Sequence, residues 1–301
     1  MSRRPTIVLI ATGGTIAGAA PSATDTTGYA AGALHADTLL AAVPALGEVA
    51  HIRAEQPFSL DSRDLGPAHW LAIARRVRSV LDEPQVAGVV ITHGTDTLEE
   101  TACFVDATLA SRKPVVMTGA MRPATALSTD GPMNLYHALC VAVHPDSAAR
   151  GVLVVFGESI LAADGVRKAH TRRLEAFAAG HGGCVGQTAP LRFFAPPPVR
   201  AAPLALPDAA DRLPRVDVLW VGAGSPPAAL EQAVARAVAG GVPVVRATRA
   251  GAGAVTPVAD DAELGTLAAG DRAPAAVRVV MMIALAGGDG DGRALARRLA
   301  P

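Results

Sequence analysis

The chain has 301 residues, half of them hydrophobic, with 3% aromatic residues and a formal net charge of zero. That length supports a sizeable, mostly aliphatic core and predicts two domains. Balanced charge argues against nucleic acid or an anionic membrane surface as a partner, and no apolar run reaches membrane-spanning length. Three cysteines (Cys103, Cys140 and Cys184) without C-x-x-C spacing argue against a disulfide framework or a zinc site and fit a reducing compartment.

In chain order, Arg3 and Arg4 precede an apolar stretch in the manner of a signal peptide. The stretch is short and ends in Gly-Gly-Thr without a small-residue cleavage site, so it reads as a first core strand, Thr6–Ala11. A leader removed in processing stays open as the alternative. Helices are predicted over Ala36–Val43 and Gly66–Leu81, the second with Leu71, Ala74, Val77 and Leu81 on one face and Arg75, Arg76 and Arg78 on the other. A strand over Val86–Thr92 leads into a helix over Thr97–Leu109. A strand over Pro114–Thr118 leads into a helix over Gly131–Val143, and a further strand covers Gly151–Phe156. The stretch Phe194–Pro214 is too rich in proline for a helix interior or a central strand and reads as an extended linker. Beyond it, strands are predicted over Val216–Val221, Val242–Ala247 and Val277–Ala284, and helices over Ala228–Ala239 and Gly292–Leu299.

The strand runs are continuously apolar rather than alternating, which implies burial on both faces. The βαβα rhythm predicts an α/β fold: a larger N-terminal three-layer domain with a mainly parallel sheet (1–193), the linker (194–214), and a smaller α/β C-terminal domain (215–301).

Two strand ends carry chemistry. Ala11-Thr12-Gly13-Gly14-Thr15 places the Thr15 hydroxyl just past the first strand, where open α/β sheets keep their reactive groups. Taken alone the segment reads equally as a tight strand-to-loop turn, and it meets neither the dinucleotide nor the P-loop pattern. Thr92-His93-Gly94-Thr95-Asp96 repeats the design after another strand, with Thr95 and Asp96 balanced between a helix cap and an active group. Glu99 and Glu100 read as first-turn acids complementing the helix dipole. Lys168, in Asp164–Thr171, reads by itself as a solvated surface charge.

The segments A-T-G-G-T-I-A-G (Ala11–Gly18) and G-V-V-I-T-H-G-T-D-T-L-E-E-T-A (Gly88–Ala102) resemble the two signature segments of the bacterial L-asparaginase family. P-V-V-M-T-G-A-M-R-P (Pro114–Pro123) and S-T-D-G-P-M-N-L-Y (Ser128–Tyr136) are similar to further family segments. The resemblance runs almost continuously from Ile7 to about Phe177. It implies a two-domain amidohydrolase that needs no cofactor or metal, acts on a small amino-acid amide and assembles as a homodimer or homotetramer. By motif position, Thr15 resembles the nucleophile and Tyr29 the loop tyrosine that polarises it, in a mobile lid over Ala19–Ala33. Thr95, Asp96 and Lys168 resemble the second catalytic group, with Asp96 also meeting the substrate ammonium. Ser62 resembles the serine that holds the substrate carboxylate. The Thr95 amide and the region of Ala120 would stabilise the oxyanion.

Three departures bear on the substrate and the compartment. Arg63 stands where many secreted members carry a glutamine that helps bind the ammonium, so it must point away or bind a carboxylate. The second domain is short by about one βα unit. The family's loops that complete a neighbouring subunit's site are not recognisable, with Asp260 and Asp261 as the residues that could stand in. These features keep a second ω-amide open as the substrate (L-glutamine, D-asparagine or a succinamate-like acid), as well as a non-catalytic amino-acid-binding relative. Ser111 falls where some periplasmic members have a cysteine, which favours the cytoplasm.

Overall fold

The computed structural model describes residues 4–180, 183–206, 210–288, 295–296 and 299. Its strands are β1 (Thr6–Ala11), β2 (His51–Glu55), β3 (Val86–Thr92), β4 (Val115–Thr118), β5 (Val152–Phe156), β6 (Ser159–Ala162), β7 (Arg167–Lys168), β8 (Phe177–Ala178), β9 (Gly186–Thr188), β10 (Leu191–Phe193), β11 (Val245–Arg246) and β12 (Leu267–Ala268). Its helices are α1 (Ala36–Ala41), α2 (Leu46–Val49), α3 (Pro67–Leu81), α4 (Leu98–Thr108), α5 (Gly131–Val143), α6 (Pro227–Ala239), α7 (Ala259–Leu264) and α8 (Pro274–Ala286).

Among the described residues the large sheet runs in the order β10-β9-β6-β5-β4-β3-β1-β2. The block β2-β1-β3-β4-β5 is parallel, and β6, β9 and β10 extend it antiparallel. Successive side chains of each parallel strand serve opposite cores. Val8, Ile10, Val89, Ile91 and Met117 pack against Ile73, Val77 and Val80 of α3 and Leu98, Ala102 and Val105 of α4. Ile7, Leu9, Val90, Val116 and Leu153 pack against Leu135, Ala138, Leu139 and Ala142 of α5. Both faces are therefore covered, as the unbroken apolar runs require. The parallel order reverses direction between β1 and β3, and a crevice opens at such a switch point, outside the carboxyl ends of the strands.

The smaller C-terminal part departs from the sequence expectation. Val277–Ala284 is not a strand but the middle of α8, with Val279, Val280, Met282 and Ile283 buried. A continuous apolar run fits a buried helix as well as a buried strand, and 13 residues beginning at Pro274 with no internal turn residue favour the helix. The helix α8 lies on α4 in a core shared with Trp70, Leu71 and Phe104 of the first domain. Val216–Val221 is likewise not a strand, and only Val245–Arg246 of the run Val242–Ala247 pairs, in a two-residue ladder with β12. That ladder offers Val216–Val221 no edge long enough to dock on. Leu219 and Trp220 are left 83% and 69% exposed. The predicted helix Gly292–Leu299 lies largely outside the described residues.

Candidate active site

Two glycines let the loop after β1 cross the loop after β3 at close range. Gly14 has φ +77°, and a Cβ built on it would stand 2.3 Å from the Cα of Gly94. A Cβ on Gly94 would stand 2.7 Å from the Ser62 side chain. No larger residue fits either position without displacing backbone or a packed neighbour. The loops after β1 and β3 and the short 3-10 turn Ser62–Asp64 therefore converge at the switch point, bringing Thr15, Thr95 and Ser62 together.

Thr15 opens a short 3-10 turn (Thr15–Ala17), and its Oγ1 lies 2.6 Å from Tyr29 Oη. Tyr29 comes from the loop Ala19–Ala33, which lies folded over the site in this structure. Ala19 and Ala30 exchange two backbone hydrogen bonds of 3.0 Å, the Leu127 amide donates to the Ala23 carbonyl, and the Asp25 carboxylate accepts from the Thr27 and Gly28 amides. Those amides hold the Asp25 carboxyl below its ordinary value.

Across the crevice, Lys168 Nζ donates to Thr95 Oγ1 at 2.8 Å and to Asp96 Oδ1 at 2.6 Å. A residue that read in isolation as a surface charge is thus aimed into the site, its side chain mostly buried. Asp96 keeps a 59% exposed side chain at the mouth, and the Asp96 amide donates to Ser62 Oγ at 3.2 Å. Beneath the loop, His93 is fully buried. Its Nδ1–H donates to the Gly94 carbonyl at 2.7 Å, which leaves Nε2 to accept from Thr101 Oγ1 at 2.9 Å. Burial pushes the His93 pKa down to about 4, so the ring is neutral near pH 7.

Thr15, Tyr29, Ser62, Thr95, Asp96 and Lys168 all line one cavity of about 660 Å³. Two expected residues stand just outside its lining. Ala120 is fully buried next to Met121, which does line it. Arg63 turns aside: its guanidinium pairs with Asp61 at 2.7 Å and its side chain is 73% exposed. The guanidinium thus points away from the cavity, and the carboxylate it meets is the chain's own Asp61. Asp261 does not offer itself as a stand-in site group, because Arg246, the Val258 amide and Thr266 Oγ1 occupy its carboxylate and hold its pKa far below the usual range.

Other contributors carried no role on the sequence alone. The Asp130 carboxylate accepts the Met121 and Arg122 amides at 2.9 Å each, and Asn134 Nδ2 donates to the Gly119 carbonyl and to Asp130. The segment Ser128–Tyr136 therefore shapes the loop after β4. Glu99 and Glu100 each have a partner beyond the helix dipole. Glu99 Oε2 accepts the Lys168 backbone amide, and Glu100 meets Arg278 at 3.3 Å. Burial pushes both carboxyls up.

A threonine hydroxyl bonded to a tyrosine and sharing a cavity with a Thr-Lys-Asp group is an arrangement suited to acyl transfer. Comparison with known proteins agrees with it. Residues 6–197 match the family model "Asparaginase, N-terminal", and residues 218–297 match "Glutaminase/Asparaginase C-terminal domain". L-asparaginase 2 of Bacillus subtilis is 38% identical over 93% of this chain and 82% of its own. A probable periplasmic L-asparaginase of Haemophilus influenzae is 36% identical over 93% of this chain and 88% of its own. The crystal structure of a probable cytoplasmic L-asparaginase from Campylobacter jejuni superposes with a TM-score of 0.91 at 34% identity, over 98% of this chain and 99% of that one. With both domains matched and the Thr15 and Thr95 loops meeting at the switch point, the chain belongs to the asparaginase family and is an amidohydrolase.

Proposed function

We propose that the protein hydrolyses the side-chain amide of L-asparagine to L-aspartate and ammonia by double displacement through Thr15. The observation that carries this reading is the convergence of Thr15–Tyr29 and Thr95–Lys168–Asp96 on one cavity. Thr15 Oγ1 attacks the amide carbon as its proton is relayed through Tyr29 Oη, which accepts it while handing its own proton toward the amide nitrogen. The C–N bond then breaks, and ammonia leaves with a proton returned to its nitrogen. Water, oriented by Thr95 with Lys168 and Asp96, attacks the resulting ester. The C–Oγ1 bond breaks, Thr15 regains its proton and aspartate is released. In this reading Ser62 holds the substrate carboxylate, Asp96 its ammonium, and the Thr95 amide with the loop at Ala120 the oxyanion.

Replacing Thr15 with Ala removes the acyl acceptor. Ammonia release from L-asparagine should fall by about 10³-fold or more with the circular dichroism spectrum unchanged. Retained turnover would refute the assignment. The C-terminal family description names glutaminase beside asparaginase, which makes L-glutamine the first competing substrate in the same assay, with D-asparagine and succinamate as the further alternatives.

The same reading divides the chain at the proline-rich stretch 194–214 and makes the protein a cytoplasmic homo-oligomer. One structural relative described as cytoplasmic supports the compartment, against one sequence relative described as periplasmic. Fractionation of the source cells separates the two. The exposed apolar run Val218–Val221 and the open mouth at Asp96 support the assembly.

A further inference from the structure

We propose that Glu99 is a positioning residue for the second catalytic group, setting the reach of Lys168 by holding its backbone. The inference rests on Lys168 and Thr95 being catalytic, as set out above.

Lys168 sits in β7, two residues long. Among the described residues β7 pairs with β8 and with no strand of the large sheet. The loop leaving it is anchored to the far side of that small ladder, through Ala169 and His170 amides donated to the Ala176 carbonyl. The Lys168 amide itself goes elsewhere, to Glu99 Oε2. Glu99 lies in the first turn of α4, four residues after Thr95, so one side chain ties the strand that carries the ammonium to the loop that carries the hydroxyl. The distance it spans governs the 2.8 Å contact of Lys168 Nζ with Thr95 Oγ1. Neighbouring Glu100 is drawn off to Arg278 and takes no part. A helix dipole would be satisfied by either acid in the first turn and would not require a bond to this particular amide.

Reach and charge can be separated. Glu99→Gln keeps an acceptor oxygen at the same distance and drops the charge, whereas Glu99→Asp keeps the charge and shortens the arm by one methylene. With kcat normalised to folded protein by circular dichroism, Glu99→Gln should stay within about threefold of the parent. Glu99→Asp should lose about tenfold or more in kcat with KM within about twofold, because small misplacements of a reacting group are expensive in rate. A tenfold loss in Glu99→Gln, or parental kcat in Glu99→Asp, overturns the proposal. Because Glu99→Gln preserves shape, it carries the test even if Glu99→Asp folds poorly.

Lys168→Met supplies the control. In that background, adding Glu99→Asp should change the residual turnover by less than about twofold, since a group acting through Lys168 has nothing left to position. A further tenfold drop would mark a general structural role and overturn the proposal. Parental activity in Lys168→Met alone would instead refute the catalytic reading of Lys168, an outcome visible without any Glu99 variant.

Discussion

The 2.6 Å contact between Thr15 Oγ1 and Tyr29 Oη is the shortest polar link to the proposed nucleophile and the one whose removal is most informative. A free threonine hydroxyl is a weak nucleophile and needs a neighbour to take its proton. Tyr29→Phe removes that neighbour while keeping the ring, so kcat should fall by about 10²-fold with a smaller change in KM. Steady-state ammonia release measures it, and an unchanged kcat would place the proton acceptor elsewhere. Thr15, Thr95 and Asp96 were legible in the sequence because each follows a recognisable strand end. Tyr29, Ser62 and Lys168 were found by resemblance, since nothing local distinguishes a lysine that faces a threonine 73 residues away. For the same reason Glu99 was read only as a first-turn helix acid, and Asp130 was given no role. Their partners are backbone amides, which sequence cannot mark.

At the scale of elements, the loop after β3 is held from below by a histidine joined to the first turns of α4. His93 donates to the Gly94 carbonyl and accepts from Thr101, so the ring locks the turn bearing Thr95 and Asp96 to the helix that follows. Its folded-state pKa of about 4 lies below the ordinary value of 6.5. As pH falls, the unfolded chain therefore takes up this proton first. The stabilisation from the buried neutral ring is complete above about pH 6.5 and is lost progressively as pH falls toward 4, by about 3 kcal/mol in all. His93→Gln lacks the linkage. Urea unfolding at pH 7 and pH 4.5 should show the stability advantage of the parent over His93→Gln shrinking by about 2 kcal/mol or more between the two conditions. Parallel stability curves would mean that the histidine is not buried neutral. In the N-terminal sheet β1, β3, β4 and β5 were legible because their apolar runs sit between helices, whereas β2, β6, β9 and β10 were not, being short segments without a long unbroken apolar run. The α8 helix was not, because burial between α4 and the C-terminal part removes the polar face that would have marked its period.

At the scale of the whole molecule, the C-terminal part is where sequence and structure leave most work for assembly. Among the described residues Val216–Val221 has no strand partner, and Val218, Leu219, Trp220 and Val221 stay exposed together. Isolated exposed apolar residues are ordinary, but a contiguous run of four is the kind of surface that the proposed oligomer would cover. Burying side chains such as Leu219 and Trp220 is worth about 1.5–3 kcal/mol each, and a symmetric interface counts each residue twice. The double variant Leu219→Glu, Trp220→Glu places like charges across the same surface. Sedimentation analysis should then show the oligomer dissociating at concentrations about 10²-fold or more above those at which the parent dissociates, with the helical signal of α8 and α4 retained. If closure of the Asp96 mouth depends on the second copy, specific activity should fall in step with the loss of the larger species. An unchanged mass would place the interface elsewhere. A changed mass with unchanged specific activity would show that Thr15, Thr95 and Lys168 turn over substrate within a single chain.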